Sequence, residues 1–163
     1  MTATIDRDRP AFGLPGRIQD ANSKPRSIAL VGIGAGGAAI ARDIKSEDLA
    51  QLDVHVFARS ASGGDALAAI QANGGDLQRD LTDSDMIFIV ACQGDDVGLA
   101  PVVSGIAHSR NHPVTAIYIV PQGADFHAEA EDATLKTLRE GVELLVIVSD
   151  ESYVPAMIAA LGG

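Results

Sequence analysis

Five short apolar runs alternate along the chain with segments of helical spacing, and that alternation predicts most of the architecture. SIALVGIG is an apolar run ending in glycine, followed by AGGAAIARDIKS, whose small and apolar positions have the spacing of a helix packed closely on a strand. LDVHVFA over 52–58 predicts a second strand, and DALAAIQANGG over 65–75 a helix stopped by two glycines. DMIFIVA over 85–91 and VTAIYIV over 114–120 are apolar at nearly every position, as strands buried on both faces of a parallel sheet must be. Between them VGLAPVVSGIAHS predicts a helix that takes Pro101 into its first turn. ATLKTLRE as a helix, ELLVIVS as a fifth strand and YVPAMIAAL as a short helix complete the series. Strand and helix in strict alternation predict an α/β fold: a Rossmann-like parallel sheet of about five strands with helices on both faces.

The turn after the first strand carries candidate chemistry. Gly32, Gly34 and Gly37 form G-x-G-x-x-G between a predicted strand and a predicted helix, the context that gives this otherwise weak motif meaning. The first two glycines permit a tight turn and close backbone approach, and the third lets helix and strand pack together. Free N–H groups and a partial positive charge at the helix start then favour an anion such as a phosphate, with Ala35 and Gly36 leaving further room. The competing reading is a tight strand-to-helix turn with no ligand.

Composition narrows the function classes. The 163 residues are 47% hydrophobic and 21% charged, which suits one globular domain with one core. Residues 1–26 mix charge, Pro10, Pro15, Pro25 and glycines without periodicity and are expected to be a flexible N-terminal tail, leaving 27–163 as the α/β domain. A net charge of -10 with no basic stripe argues against nucleic acid as a partner. Cys92 is the sole cysteine, so no internal disulfide framework exists and a reducing, cytoplasmic setting is expected. The N-terminal segment lacks the apolar core of a signal peptide, and no later run has the length of a membrane span.

From Ser27 to Glu151 the segments resemble the nucleotide-binding half of the FtsZ and tubulin family. IALVGIGAGGAAIARDI is similar to that family's opening strand, glycine loop and helix. SDMIFIVACQGDDVGLAPVVSGIAHS, residues 84–109, resembles the FtsZ segment that bears its signature loop, and LKTLREGVELLVIVSDE, residues 135–151, resembles the helix and strand leading to the purine-contacting helix. The resemblance implies a strand order 3-2-1-4-5, GTP or GDP as ligand, and action through a homo-oligomer or a protein partner. The crevice it implies lies at the carboxyl ends of the strands, lined by Gly34, Ala35, Gly36, Gly37, Arg59, Cys92, Gln93, Gly94, Asp95 and the turn after Pro121, with Gly32, Asp96 and Gly98 completing the loops.

Two departures weaken the catalytic part of this expectation. Where the family has Gly-Gly-Gly-Thr-Gly-Thr-Gly, this chain reads Gln93, Gly94, Asp95, Asp96, Val97, Gly98. Two carboxylates there repel phosphate unless a Mg²⁺ ion held by Asp95 and Asp96 bridges them to it. Alternatively they cap the helix expected to begin near Val97. The sequence also stops at Gly163, before the family's long central helix and hydrolytic loop, so efficient GTP hydrolysis is not expected.

Other readings stay open. Arg59 closes the second strand 22 residues past Gly37, where an NADP-dependent Rossmann oxidoreductase often places an arginine for the 2′-phosphate. A third reading is an interaction module with an empty crevice. His108 and His112 are four apart, but Asn111 and Pro113 are expected to end the helix between them, which leaves no metal-binding face. His55, inside a strand, reads as a satisfied sheet residue, and Cys92 as a packed thiol or a reactive one at the ligand end of the sheet.

Overall fold

A computed structural model describes residues 26–47, 49, 51–58, 68, 72, 76–122 and 132–162. The expected tail over 1–26 therefore lies outside the described residues except for Arg26, as do Arg59 and, apart from residues 68 and 72, the helix expected over 65–75. The strands are β1 (Ile28–Ile33), β2 (Leu52–Phe57), β3 (Met86–Cys92), β4 (Val114–Ile119) and β5 (Leu144–Val148). The helices, numbered among the described elements, are α1 (Gly34–Ser46), α2 (Asp76–Asp83), α3 (Ala100–His108), α4 (Ala133–Gly141) and α5 (Tyr153–Gly162).

All four strand pairings are parallel, and the sheet runs β2-β1-β3-β4-β5. The expected α/β class is present, but the order 3-2-1-4-5 is corrected. That order would put β3 on an edge, whereas Ile87 to Ala91 are buried at every position and require neighbours on both sides. β2, with an exposed Asp53 and half-buried Leu52 and Val54, takes the edge instead.

Alternate residues of each strand feed two apolar layers. Ala29, Val31 and Ile33 of β1 face one layer with Leu77 and Leu81 of α2, Val103 and Ala107 of α3, and Leu135 and Leu138 of α4. Ile28 and Leu30 face the other with Ile40 and Ile44 of α1 and Val154 and Ile158 of α5. Crossover handedness explains the division: from β1 the chain steps outward to β2 across α1, then reverses direction for β3, β4 and β5, and the reversal moves α2, α3 and α4 to the opposite face. α2 is a helix the sequence pattern did not suggest. Its segment DLQRDLTD is polar except for Leu77 and Leu81, four apart and both fully buried.

Boundary shifts have local causes. The helix expected from Val97 starts at Ala100, because Val97 to Leu99 form a turn in which Ala100 N–H donates to the Val97 carbonyl at 2.9 Å. Pro101 does fall in the first turn, as expected. At the other end Ser27 N–H and Oγ–H donate to Asp85 Oδ2 at 3.0 and 3.1 Å, and Asp85 N–H donates to Ser27 Oγ at 3.0 Å and to the Ser27 carbonyl at 2.9 Å, which ties the start of β1 to the start of β3.

β1 and β3 are adjacent strands whose onward connections diverge, so their carboxyl ends bound the crevice where open α/β sheets place ligands. That crevice holds the glycine turn.

Candidate functional site

β1 ends at Ile33 in extended conformation and α1 begins at the next residue, Gly34, whose φ of +80° lies in the left-handed region that glycine tolerates. No side chain at Ile33 caps the helix. Two N–H groups of the first turn, those of Gly36 and Gly37, are satisfied from far along the chain. Gly36 N–H donates to Asp95 Oδ1 at 3.0 Å and Gly37 N–H to Asp95 Oδ2 at 2.8 Å, while Cys92 N–H also donates to Oδ2 at 2.8 Å. The anion at this helix start is thus the protein's own carboxylate, with both oxygens engaged. Bonds from N–H to an ionised acceptor contribute roughly 1.5–3 kcal/mol each, and the helix dipole adds to them.

The glycines fit this arrangement. A Cβ on Gly34 would lie 2.5 Å from Cβ and Cγ of Asp95, and one on Gly36 would lie 2.7 Å from Cβ and Sγ of Cys92. Space that looks like room for a ligand in the sequence is filled here by Asp95 and Cys92. Gly32 and Gly37 serve close packing: a Cβ on Gly32 would meet Ala41 Cβ at 2.5 Å, and one on Gly37 the Val90 carbonyl oxygen at 2.2 Å.

Asp95 is fixed from behind as well. Its carbonyl accepts from Thr134 Oγ1 at 2.6 Å, and its N–H donates to the Cys92 carbonyl at 3.0 Å. Thr134 N–H in turn donates to Asp132 Oδ1, the N-cap of α4, whose Oδ2 accepts from the buried Tyr118 hydroxyl. A bonded series therefore runs from β4 through the start of α4 and Asp95 to α1. Asp96 is exposed, and its Oδ1 accepts from Gly98 N–H at 2.9 Å in a local turn. The expectation that both aspartates cap the helix after Val97 is corrected: Asp95 caps α1 across the crevice and Asp96 closes a turn ahead of α3.

Beside this cluster the ends of β3, β4 and β5 frame a depression of about 460 Å³, lined by Cys92, Ile119, Pro121, Gln122, Ser149, Asp150 and Glu151. Its titratable lining is Cys92, Asp150 and Glu151, so the rim is acidic. Burial, then the charges of Asp95 and Glu151, push the Cys92 thiol up to about 11, which makes it a poor nucleophile at neutral pH.

The structure thus brings Gly34, Gly36, Gly37, Cys92 and Asp95 together at the switch point, as expected of the crevice. Ala35, Gly94 and Asp96 are exposed, and Gln93 and Gly98 half-buried, around them. Among the described residues no group of three His, Cys, Asp or Glu side chains is placed to hold a metal ion. His108 ends α3 and pairs with Glu143, whereas His112 lies past the helix end beyond Asn111, whose φ is 59°. Val114 N–H, donating to Glu143 Oε2 at 2.7 Å, and His108 beside it hold the Glu143 carboxyl below its ordinary range. His55 Nε2 lies 2.9 Å from Asp80 Oδ2 in the layer between β2 and α2, a buried and satisfied pair as expected of a sheet histidine. Sequence reasoning missed Thr134 and Asp80, because nothing local to either residue reveals a partner dozens of positions away.

Among the described residues no helix is long and apolar enough to cross a membrane. No family model matches the chain, and no curated protein matches it in sequence.

Proposed function

We propose that this chain is an association module whose phosphate turn is held closed by its own Asp95, and that it acts by binding a second copy or a protein partner without turnover. The observation that carries this reading is the Asp95 carboxylate on the N–H groups of Gly36, Gly37 and Cys92. A phosphate entering the turn would have to displace a carboxylate already bonded three times and tethered through Thr134. The acidic rim of Asp150 and Glu151 opposes the same ligand by like charge. A cytoplasmic setting, expected from the lone cysteine, goes with this reading.

A second reading is the reduced FtsZ-like protein that binds GTP or GDP with Mg²⁺. It is favoured by the left-handed Gly34 turn at the carboxyl end of β1, a geometry shared with dinucleotide-binding folds generally. NADP binding through the same turn and Arg59 is its variant. Both require Asp95 to leave the turn.

Calorimetric titration of GTP, GDP, ATP and NADPH, with and without magnesium, into the wild type and Asp95→Ala separates the readings. The association reading expects no heat of binding to the wild type up to millimolar ligand. Saturable binding of any of the four to the wild type at micromolar concentration would replace it with the nucleotide reading.

A further inference from the structure

We infer that the open edge of β5 is the surface through which two copies of this chain join, strand against strand, antiparallel, about a two-fold axis at Val146. The inference rests on the association reading and gives it a surface.

Among the described residues β5 pairs with β4 alone, and its sequence Leu-Leu-Val-Ile-Val carries neither charge nor proline. Leu144 is 56% exposed, Ile147 39%, and Tyr153 at the start of α5 60%. Edge strands that must stay unpaired are usually protected by charge, proline or a bulge. The opposite edge follows that rule, since β2 carries the exposed Asp53; β5 does not.

The backbone sets a register. The Val148 carbonyl accepts from Val120 N–H at 2.9 Å, on the β4 side. By the two-residue period of a strand, Leu144, Val146 and Val148 direct their backbone groups to β4, and Leu145 and Ile147 direct theirs to the open edge. An antiparallel copy centred on Val146 sets Leu145 opposite Ile147 of the second copy and Ile147 opposite its Leu145, each a hydrogen-bonded pair. Leu144 then faces Val148 of the second copy, at the strand end that leads on to Tyr153.

Charge favours this register over its neighbours. Centred on Val146, the carboxylate of Glu143 faces Ser149, and Asp150 and Glu151 lie beyond the neutral Val142 and Gly141. Moving the centre one residue toward Val148 would set Glu143 against Glu151; moving it toward Leu144 would leave Ile147 and Val148 outside the strand overlap. The self-complementary arrangement buries five apolar residues per copy without opposing carboxylates. Because each chain carries a net charge of -10, pairing occurs against overall repulsion, and added salt should strengthen it. A basic partner strand on the same edge would respond to salt in the opposite sense.

Sedimentation equilibrium of the full chain, from micromolar to several hundred micromolar, is expected to give a monomer–dimer equilibrium that tightens with added sodium chloride. Ile147→Pro, which removes an outward N–H, and Leu144→Lys, at an already exposed position, should each weaken dimerisation about tenfold or more. Circular dichroism checks that both variants keep the fold. In a Cys92→Ala background, Val146→Cys should oxidise to a disulfide-linked dimer because each cysteine meets its own copy at a non-hydrogen-bonded pair, about 4.5 Å between Cα atoms; Leu144→Cys, opposite Val148, should not. A wild type that stays monomeric overturns the inference, and so does a dimer that forms equally in the folded edge variants. Neither result touches the nucleotide titrations, which alone decide whether the turn is closed.

Discussion

Asp95 Oδ2 lies 2.8 Å from Gly37 N–H, across 58 residues of chain, and so supplies the cap that α1 lacks from its own sequence. A carboxylate at a helix start satisfies N–H groups that would otherwise face a half-buried crevice, and it compensates the dipole there.

Removing that carboxylate should therefore cost stability. Asp95→Ala is expected to destabilise the fold by about 2–4 kcal/mol, and Asp95→Asn by about half as much, because the amide turns an NH₂ toward donors it cannot accept from. Asp96→Asn should be nearly neutral, since asparagine closes the turn to Gly98 N–H as well as aspartate does. Urea denaturation of the three variants tests the contrast; equal losses at Asp95 and Asp96 would mean that Asp95 holds no special place.

The glycines divide by what surrounds them. Gly37→Ala forces a methyl to within 2.2 Å of the Val90 carbonyl oxygen, a backbone atom with little freedom to move, and should cost about 3 kcal/mol or more. Gly105, inside α3, has nothing within 4 Å of an added methyl, so Gly105→Ala should raise stability by about 0.5–1 kcal/mol. Thermal melts of both variants check the opposite signs.

Cys92 should react slowly with iodoacetamide at pH 8 in the folded protein, with the rate climbing as pH approaches about 11. Unfolding in urea should restore ordinary reactivity, and Asp95→Ala should speed the folded reaction by removing one of the charges that raise the thiol. The sign for stability follows. The folded thiol keeps its proton above the pH at which the unfolded one, near 9.0, loses it, so this contribution is present below pH 9 and lost as pH rises toward about 11. Alkylation rates against pH, read by mass spectrometry, decide the point.

Ser104 Oγ is buried in α3 with no hydrogen-bond partner among the described residues, and it faces Gly141 of α4. Ser104→Ala removes an unsatisfied hydroxyl without opening a large void and should stabilise the fold by about 1 kcal/mol. A lower urea midpoint in the variant would point instead to a bonded hydroxyl.

Much of the architecture was legible in the residues themselves. Runs such as DMIFIVA and VTAIYIV are too apolar for any strand with a wet face, so a parallel sheet covered on both sides follows from them directly. The glycine turn was equally legible, because a strand that ends in Gly-x-Gly and a helix that begins in small residues have few other ways to meet. The strand order was not: periodicity records which faces are buried but not which strands are neighbours, and the central place of β3 emerged only from its pairing with both β1 and β4. Asp95 shows the same boundary at the site. As a letter in Gln-Gly-Asp-Asp it could repel phosphate, hold magnesium or cap the next helix, and each was consistent with its neighbours in sequence. Which group it meets depends on the adjacency of β1 and β3, which brings residues 58 and 59 positions apart within hydrogen-bonding distance. Local chemistry determined what Asp95 could bind; only the tertiary structure decided that it binds the N–H groups of Gly36 and Gly37 at the start of α1.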